Sequence, residues 1–209
     1  FTFTRGTDIG ATRVAEDGYI EKGYENLLLQ SNSFDTTWVR TNTTVTSGQS
    51  GYDGSSNAWK VYETIANGVH LINQITSSVN LYTFSVYLKS GTVNKIMVFD
   101  GNNNLGVKFN LETKSFHSYY GPSIIYNIDE LQNGWARYSI TSPNSSNDFR
   151  IYILDDTYSL SYIGNTANYV YIQDAQLNQG LVAMPYLPTT TTTSVGGILA
   201  NLPRIDYTG

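Results

Sequence analysis

The 209-residue sequence predicts an all-β protein: a two-sheet antiparallel jelly-roll β-sandwich with an N-terminal hairpin and an extended C-terminal linker. Three observations predict it. Apolar and polar side chains alternate with period two along many short segments, as they must in strands buried on one face. Clusters of Gly, Asn, Ser and Pro punctuate those segments at close spacing. The composition, with 17 Tyr, 18 Gly and only 14% charged residues, suits pleated strands and tight turns. No segment carries convincing helical periodicity. A chain of this length forms a single sandwich and buries a sizeable core.

Taken in chain order, "ATRVAEDGYIEKG" (11–23) reads as a hairpin around Asp17-Gly18. In "YENLLLQSNSFDTTWVR" (24–40) a buried strand accounts for Leu27, Leu28 and Leu29. It does not account for the polar loop that follows, with Asn32, Ser33 and Asp35 ahead of Trp38. Further strands are expected near 38–47, 57–65 and 69–76. "LYTFSVYLKSG" (81–91) sets Tyr82, Phe84, Val86 and Leu88 against Thr83, Ser85, Tyr87 and Lys89. Strands near 94–100, 105–110, 114–120 and 123–129 come next.

"GWARYSIT" (134–141) opposes Ala136, Tyr138 and Ile140 to Trp135, Arg137 and Ser139. "DFRIYILDD" (148–156) opposes Phe149, Ile151 and Ile153 to Arg150, Tyr152 and Leu154. In "NYVYIQDAQL" (168–177) strict alternation puts Asp174 on the inward face with Val170 and Ile172. The turns fall at 47–57, 100–104, 132–134 and 142–148. The threonine tract after Pro188 reads as an extended linker. The division expected is a hairpin connector over 1–23, a sandwich over 24–187 and a linker to a further domain over 188–209. The beginning at Phe1 and the ending on "RIDYTG" read as a piece of something longer.

Composition also bounds the chemistry. There is no Cys, so neither a disulfide nor a Cys–His nucleophile is available. A net charge of −5 argues against a nucleic-acid partner, which needs a basic footprint. No apolar run approaches membrane-spanning length, so no membrane insertion is expected. Neither a G-x-S-x-G elbow nor H-E-x-x-H is present, and the two histidines lie far apart. The neighbouring acids Asp129-Glu130 and Asp155-Asp156 point to opposite faces of a strand and cannot converge as a glycosidase pair. The sequence is therefore read as non-enzymatic.

The segments "FTRGTDIGATRVAEDGYIE", "NLLLQSNSFDTTW", "YTFSVYLKSG", "NGWARYSIT", "YVYIQDAQLNQG" and "NLPRIDYTG" together resemble a group of bacteriophage virion proteins. These are tail-fibre or other virion-surface proteins with jelly-roll modules similar to carbohydrate-binding modules. Similar jelly rolls also decorate secreted bacterial glycan-degrading enzymes. The resemblance implies a virion-surface location and a cell-surface or environmental polysaccharide as partner. It also implies contacts with other virion proteins and, as in many fibres, a homotrimer. The competing roles are a purely structural spacer or capsid cement domain and an accessory carbohydrate-binding module of a secreted bacterial glycan-degrading enzyme.

Two sets of site residues follow. The resemblance places 30–35 beside 171–177 with a structural calcium between them, held by Ser33, Asp35 and Asp174. Calcium takes six to eight oxygen ligands, and a buried carboxylate needs a partner. The alternatives for Asp174 are backbone N–H donors or an Arg such as Arg40. Gln173 stands where relatives often carry a second acid. For the glycan, aromatic faces stack on sugar C–H surfaces while polar groups orient hydroxyls. The outward positions of the central strands offer Tyr87, Lys89, Arg150 and Tyr152; Trp38, Trp59 and Trp135 are the largest aromatics. The acidic balance of the whole chain favours a neutral or weakly charged glycan.

Overall fold

A computed structural model of the chain describes residues 12–14 and 20–195. Its strands in chain order are Thr12–Val14 (β1), Ile20–Lys22 (β2), Glu25–Asn26 (β3), Val39–Thr41 (β4), Thr43–Gln49 (β5), Ala58–Glu63 (β6), Asn67–Val79 (β7), Tyr82–Ser90 (β8) and Lys95–Asp100 (β9). They continue with Leu105–Asn110 (β10), Ser115–Tyr120 (β11), Ile125–Glu130 (β12), Trp135–Ser142 (β13), Ser146–Ile153 (β14), Ser161–Ile163 (β15), Tyr169–Gln179 (β16) and Ser194–Val195 (β17).

Two antiparallel sheets pack as a jelly-roll sandwich. One has six strands in the order β12-β13-β8-β16-β6-β5. The other has seven, in the order β11-β10-β9-β14-β7-β15, with β4 also paired to β7. Inward side chains of β8 (Tyr82, Phe84, Val86, Leu88) and β13 (Ala136, Tyr138, Ile140) meet Ile96, Val98, Val107, Phe109, Phe149, Ile151 and Ile153 of the facing sheet. Each such side chain contributes about 1.5–3 kcal/mol when fully buried. The alternation expected for β8, β13 and β14 is the alternation observed.

β16 departs from expectation. Val170 and Ile172 enter the core, but so do Ala175 and Leu177, which have the opposite parity. A bulge between Gln173 and Ala175 absorbs the extra residue. Asp174 sits at that bulge with φ +47°, a left-handed conformation. Its side chain therefore leaves the inter-sheet core and turns to the outer face.

The leucine trio differs too. Only Glu25 and Asn26 are strand, and Leu27–Leu29 bend away from the ladder. Leu28 is fully buried, whereas Leu27 and Leu29 are half-buried. In place of a longer strand, the buried Asn26 side chain bridges segments. Its amide donates to Ala175 O (3.2 Å) and Leu187 O (2.8 Å), and its Oδ1 accepts from the N–H of Leu28 (3.2 Å) and Leu177 (3.2 Å).

At the N-terminus β1 and β2 pair, Thr12 opposite Lys22; the Asp17-Gly18 turn lies outside the described residues. The threonine tract starts on the sandwich itself. Thr189 is buried, its N–H donating to Ser31 Oγ (3.0 Å) and its Oγ1 accepting from Ser31 N–H (3.1 Å). β17 then pairs with β3. Residues 196–209 lie outside the described residues.

Candidate functional site

The loop after Leu29 closes one end of the sandwich. Phe34 is fully buried against Trp38 (centroids 5.0 Å apart) and Trp59 (6.2 Å). Both indole N–H groups donate to loop carbonyls, Trp38 to Gln30 (3.1 Å) and Trp59 to Asn32 (2.9 Å). The loop lies along β16: Ala175 N–H donates to Ser31 O (2.9 Å), and Asp174 N–H to Asn32 Oδ1 (3.1 Å). That is the neighbourhood the resemblance implied. Asp35, however, is exposed and Ser33 is half-buried. The Asp174 carboxylate accepts from the Tyr52 hydroxyl (2.9 Å) instead. Among the described residues, no group of three or more His, Asp or Glu is placed to hold a metal ion. The Asp174 carboxylate is thus engaged by Tyr52, while Asp35 stands at the surface.

The outer face of the six-stranded sheet carries a different arrangement. Across neighbouring strands, Trp135 of β13 stands opposite Lys89 of β8, Lys89 opposite Tyr171 of β16, Tyr171 opposite Lys60 of β6, and Lys60 opposite Thr46 of β5. Aromatic and ammonium groups thus alternate in one cross-strand row. Lys60 Nζ lies 5.5 Å from the Tyr171 ring centroid and 4.4 Å from that of Tyr169, and Lys89 Nζ lies 5.5 Å from that of Tyr171. Tyr169 meets Tyr171 edge-on at 5.3 Å and Tyr62 at 5.3 Å. Tyr62, Tyr169, Tyr171, Lys60 and Lys89 are all partly exposed, whereas Trp135 is 1% exposed and underpins the row. Gly91 is required beside it, because a Cβ there would collide with the Tyr169 ring and carbonyl.

The adjacent row holds Arg137, Tyr87 and Gln173. Loop 51–55 stands over it as a wall. Tyr52 stacks on Tyr87 (4.0 Å, 8°), and the Arg137 guanidinium lies 5.2 Å from the Tyr87 centroid. Gln173 accepts from Tyr52 N–H (3.1 Å) and donates to Asp53 (3.2 Å). Burial pushes the Asp174 carboxyl up to about 6; bonds from Tyr52 and Tyr186 pull it down, and the Asp53 charge adds to the rise. Burial, then the Asp174 charge, holds the Tyr52 phenol far above its ordinary range, so it remains a donor. For Asp53 burial acts upward, but the Ser55 hydroxyl and N–H outweigh it and hold the carboxyl below its usual value.

Of the four residues expected to meet a glycan, Tyr87 and Lys89 lie on this face. Arg150 and Tyr152 lie on the outer face of the other sheet, across the core. Tyr152 is 5% exposed within a second apolar cluster containing Leu71, Met97, Phe99 and Leu154. Arg150 is held by Asp148 and by the Tyr152 hydroxyl (3.1 Å). The four therefore form two separate pairs. Lys60, Tyr62 and Tyr169 were not singled out from sequence. Their strands were expected, but the register that aligns them with Tyr171 is not written in any one segment. The three tryptophans are structural. The acid pairs have local partners: Lys114 meets Glu130 (3.2 Å), Lys95 meets Asp156 (2.7 Å), and Asp155 accepts from the N–H of Thr157 and Ser159.

A strap, residues 181–187, crosses the same outer face farther along β16. Met184 O accepts from Arg137 (2.7 Å) and Gln176 (2.8 Å), and Gln176 Oε1 accepts from Leu187 N–H (2.8 Å). Asn178 donates to Val182 O (3.0 Å). Beyond the strap lies a hollow of about 340 Å³ lined by Ile125, Asn127, Thr141, Leu181 and Val182 among others.

No protein-family model matches the chain, and no curated protein matches it. Among solved structures it is similar to a family 29 carbohydrate-binding module, in a variant made to probe ligand recognition by that family. The match has 12% identity and a TM-score of 0.40, covering 77% of this chain and 94% of the other.

Proposed function

We propose that this domain is a non-catalytic glycan-binding module carried on the surface of a phage virion, on a tail fibre or as a decoration, where it attaches to host or environmental polysaccharide. The phage setting rests on the sequence resemblance. Glycan binding rests on one structural observation: the partly exposed row of Lys89, Tyr171 and Lys60, flanked by Tyr169 and Tyr62. Aromatic faces on a rigid sheet offer stacking surface at low entropic cost, and the lysines supply hydrogen-bond donors beside it. The test is binding of the full chain to a panel of host-surface and plant or microbial polysaccharides, with Tyr171→Ala and Tyr169→Ala as the variants. Retention of a polymer by the parent and its loss in both variants, with melting unchanged, supports the reading. Binding that survives both substitutions overturns it.

A second reading has its own observation. Ile125, Leu181 and Val182 are 61%, 60% and 63% exposed around the hollow beside the strap. Exposed apolar clusters of this kind mark protein contacts, as a structural spacer or cement domain would need. Glycan binding absent across the panel, with self-association abolished by Leu181→Ser, would favour it.

A further inference from the structure

Resting on the glycan-binding reading, we propose that the ligand class of this face is a negatively charged polysaccharide, one bearing carboxylate or sulfate groups, with Lys60 and Lys89 as the paired anion contacts. Whole-chain charge points the other way, but it is the wrong quantity at this range. At about 0.1 M salt, charges separated by more than about 10 Å are largely screened, so a bound strand senses the face it lies on.

On that face the signs are sorted by row. The Thr46–Lys60–Tyr171–Lys89–Trp135 row contains two ammonium groups and no carboxylate. Asp53, Asp129 and Asp174 all belong to or border the neighbouring Arg137–Tyr87–Gln173 row. All three acids are already engaged: Asp53 accepts from Ser55 (2.7 Å) and Gln173 (3.2 Å), Asp129 from Asn127 (2.7 Å), and Asp174 from Tyr52 (2.9 Å). Among the described residues, ion pairs are formed by Lys95, Lys114 and Arg150, not by Lys60 or Lys89. Both ammonium groups instead lie against tyrosine rings, which fix their positions without neutralising them.

Geometry adds periodicity. Lys60 and Lys89 flank Tyr171 on adjacent strands, so their backbones lie two strand spacings, on the order of 10 Å, apart. A polysaccharide laid across the strands would place one ring over Tyr171 and an anionic group toward each lysine. The exposed order cation–aromatic–cation (Lys89, Tyr171, Lys60) matches a chain that carries charge on both sides of a stacked sugar face.

The test uses the full chain and three polymers of one backbone: dextran, carboxymethyl-dextran and dextran sulfate, compared by affinity electrophoresis at low salt and at 1 M salt. The expected result is retardation by one or both polyanions, lost at 1 M salt, where the screening length falls to about 3 Å. Lys60→Met and Lys89→Met keep the apolar stem and should each weaken binding about threefold to fivefold, as for an exposed charge contact. Lys60→Arg should restore it. Retention by carboxymethyl-dextran alone assigns carboxylate, and by dextran sulfate alone assigns sulfate. No retention of either polyanion, or retention indifferent to salt and to both Met variants, overturns the proposal. So does displacement of the polyanion by a lower concentration of single-stranded DNA, which would assign the face to nucleic acid. A neutral polymer from the broader panel that binds through Tyr171 but ignores both lysines would overturn the charge assignment and leave the glycan-binding reading standing.

Discussion

The Tyr52 hydroxyl donates to the Asp174 carboxylate at 2.9 Å, from a ring that stacks on Tyr87. One hydrogen bond thus ties the wall of the candidate site to the bulge in the strand beneath it. Without Tyr52, a carboxylate that is 6% exposed would keep Tyr186 but lose one of its two hydroxyl donors.

Stability should therefore depend on pH through Asp174. Its carboxyl is raised from 3.8 to about 6 in the folded protein, mainly by burial. The folded state then holds a proton that the unfolded chain releases between those values. This contribution is fully present below about pH 4 and is lost as pH rises through about 6. The cost at pH 7 is on the order of 3 kcal/mol at most, at about 1.4 kcal/mol per unit. Asp174→Asn keeps an acceptor for Tyr52 and tolerates the left-handed backbone. It should raise the melting temperature at pH 7 by several degrees and flatten the profile between pH 4 and 7. Parallel profiles for the two proteins would count against this.

Asn26 should be among the most sensitive polar positions. Its side chain makes four hydrogen bonds, three of which join the first segment to β16 and to the strap and one of which holds the local turn at Leu28. Asn26→Leu leaves buried backbone groups unpaired and should cost about 3 kcal/mol in urea denaturation, since each unsatisfied group costs about 1–3 kcal/mol. A loss below about 1 kcal/mol would show that the segment repairs itself.

The strap should loosen when Gln176 is removed. Gln176→Leu deletes the bonds to Met184 O and from Leu187 N–H, each 2.8 Å long. Hydrogen exchange over 181–187 should accelerate by about tenfold or more, equivalent to about 1.4 kcal/mol of lost protection, while β8 and β13 exchange as before. Uniform acceleration across the sandwich would mean global destabilisation instead.

Removal of divalent ions should leave the melting curve where it is. An ion held by the folded state alone would stabilise by mass action, but Asp174 already serves Tyr52 and Asp35 is exposed. Excess chelator lowering the melting temperature by several degrees would reinstate a calcium between the loop and β16.

The legible part of the fold was the part governed by parity. Tyr82 to Leu88 and Ala136 to Ile140 announce an inward face because alternation is enforced residue by residue. Parity failed at Asp174, and the sequence holds the reason. The apolar set shifts from even positions (Val170, Ile172) to odd ones (Ala175, Leu177) across two consecutive polar residues, the mark of a bulge. The candidate site was legible in half. Alternation tells which side chains leave the core but not from which sheet, so Arg150 and Tyr152 were grouped with Tyr87 and Lys89. Lys60 joins Tyr171 only through cross-strand register, which depends on how distant segments pair.

The two-residue pairing of β3 with β17 has a mechanical consequence. The chain comes into the sandwich and goes out of it side by side, so tension applied through residues 25 and 195 is borne between those neighbours rather than across the two sheets. Under such a pull this short clasp would yield before the many-bonded ladders of the two sheets.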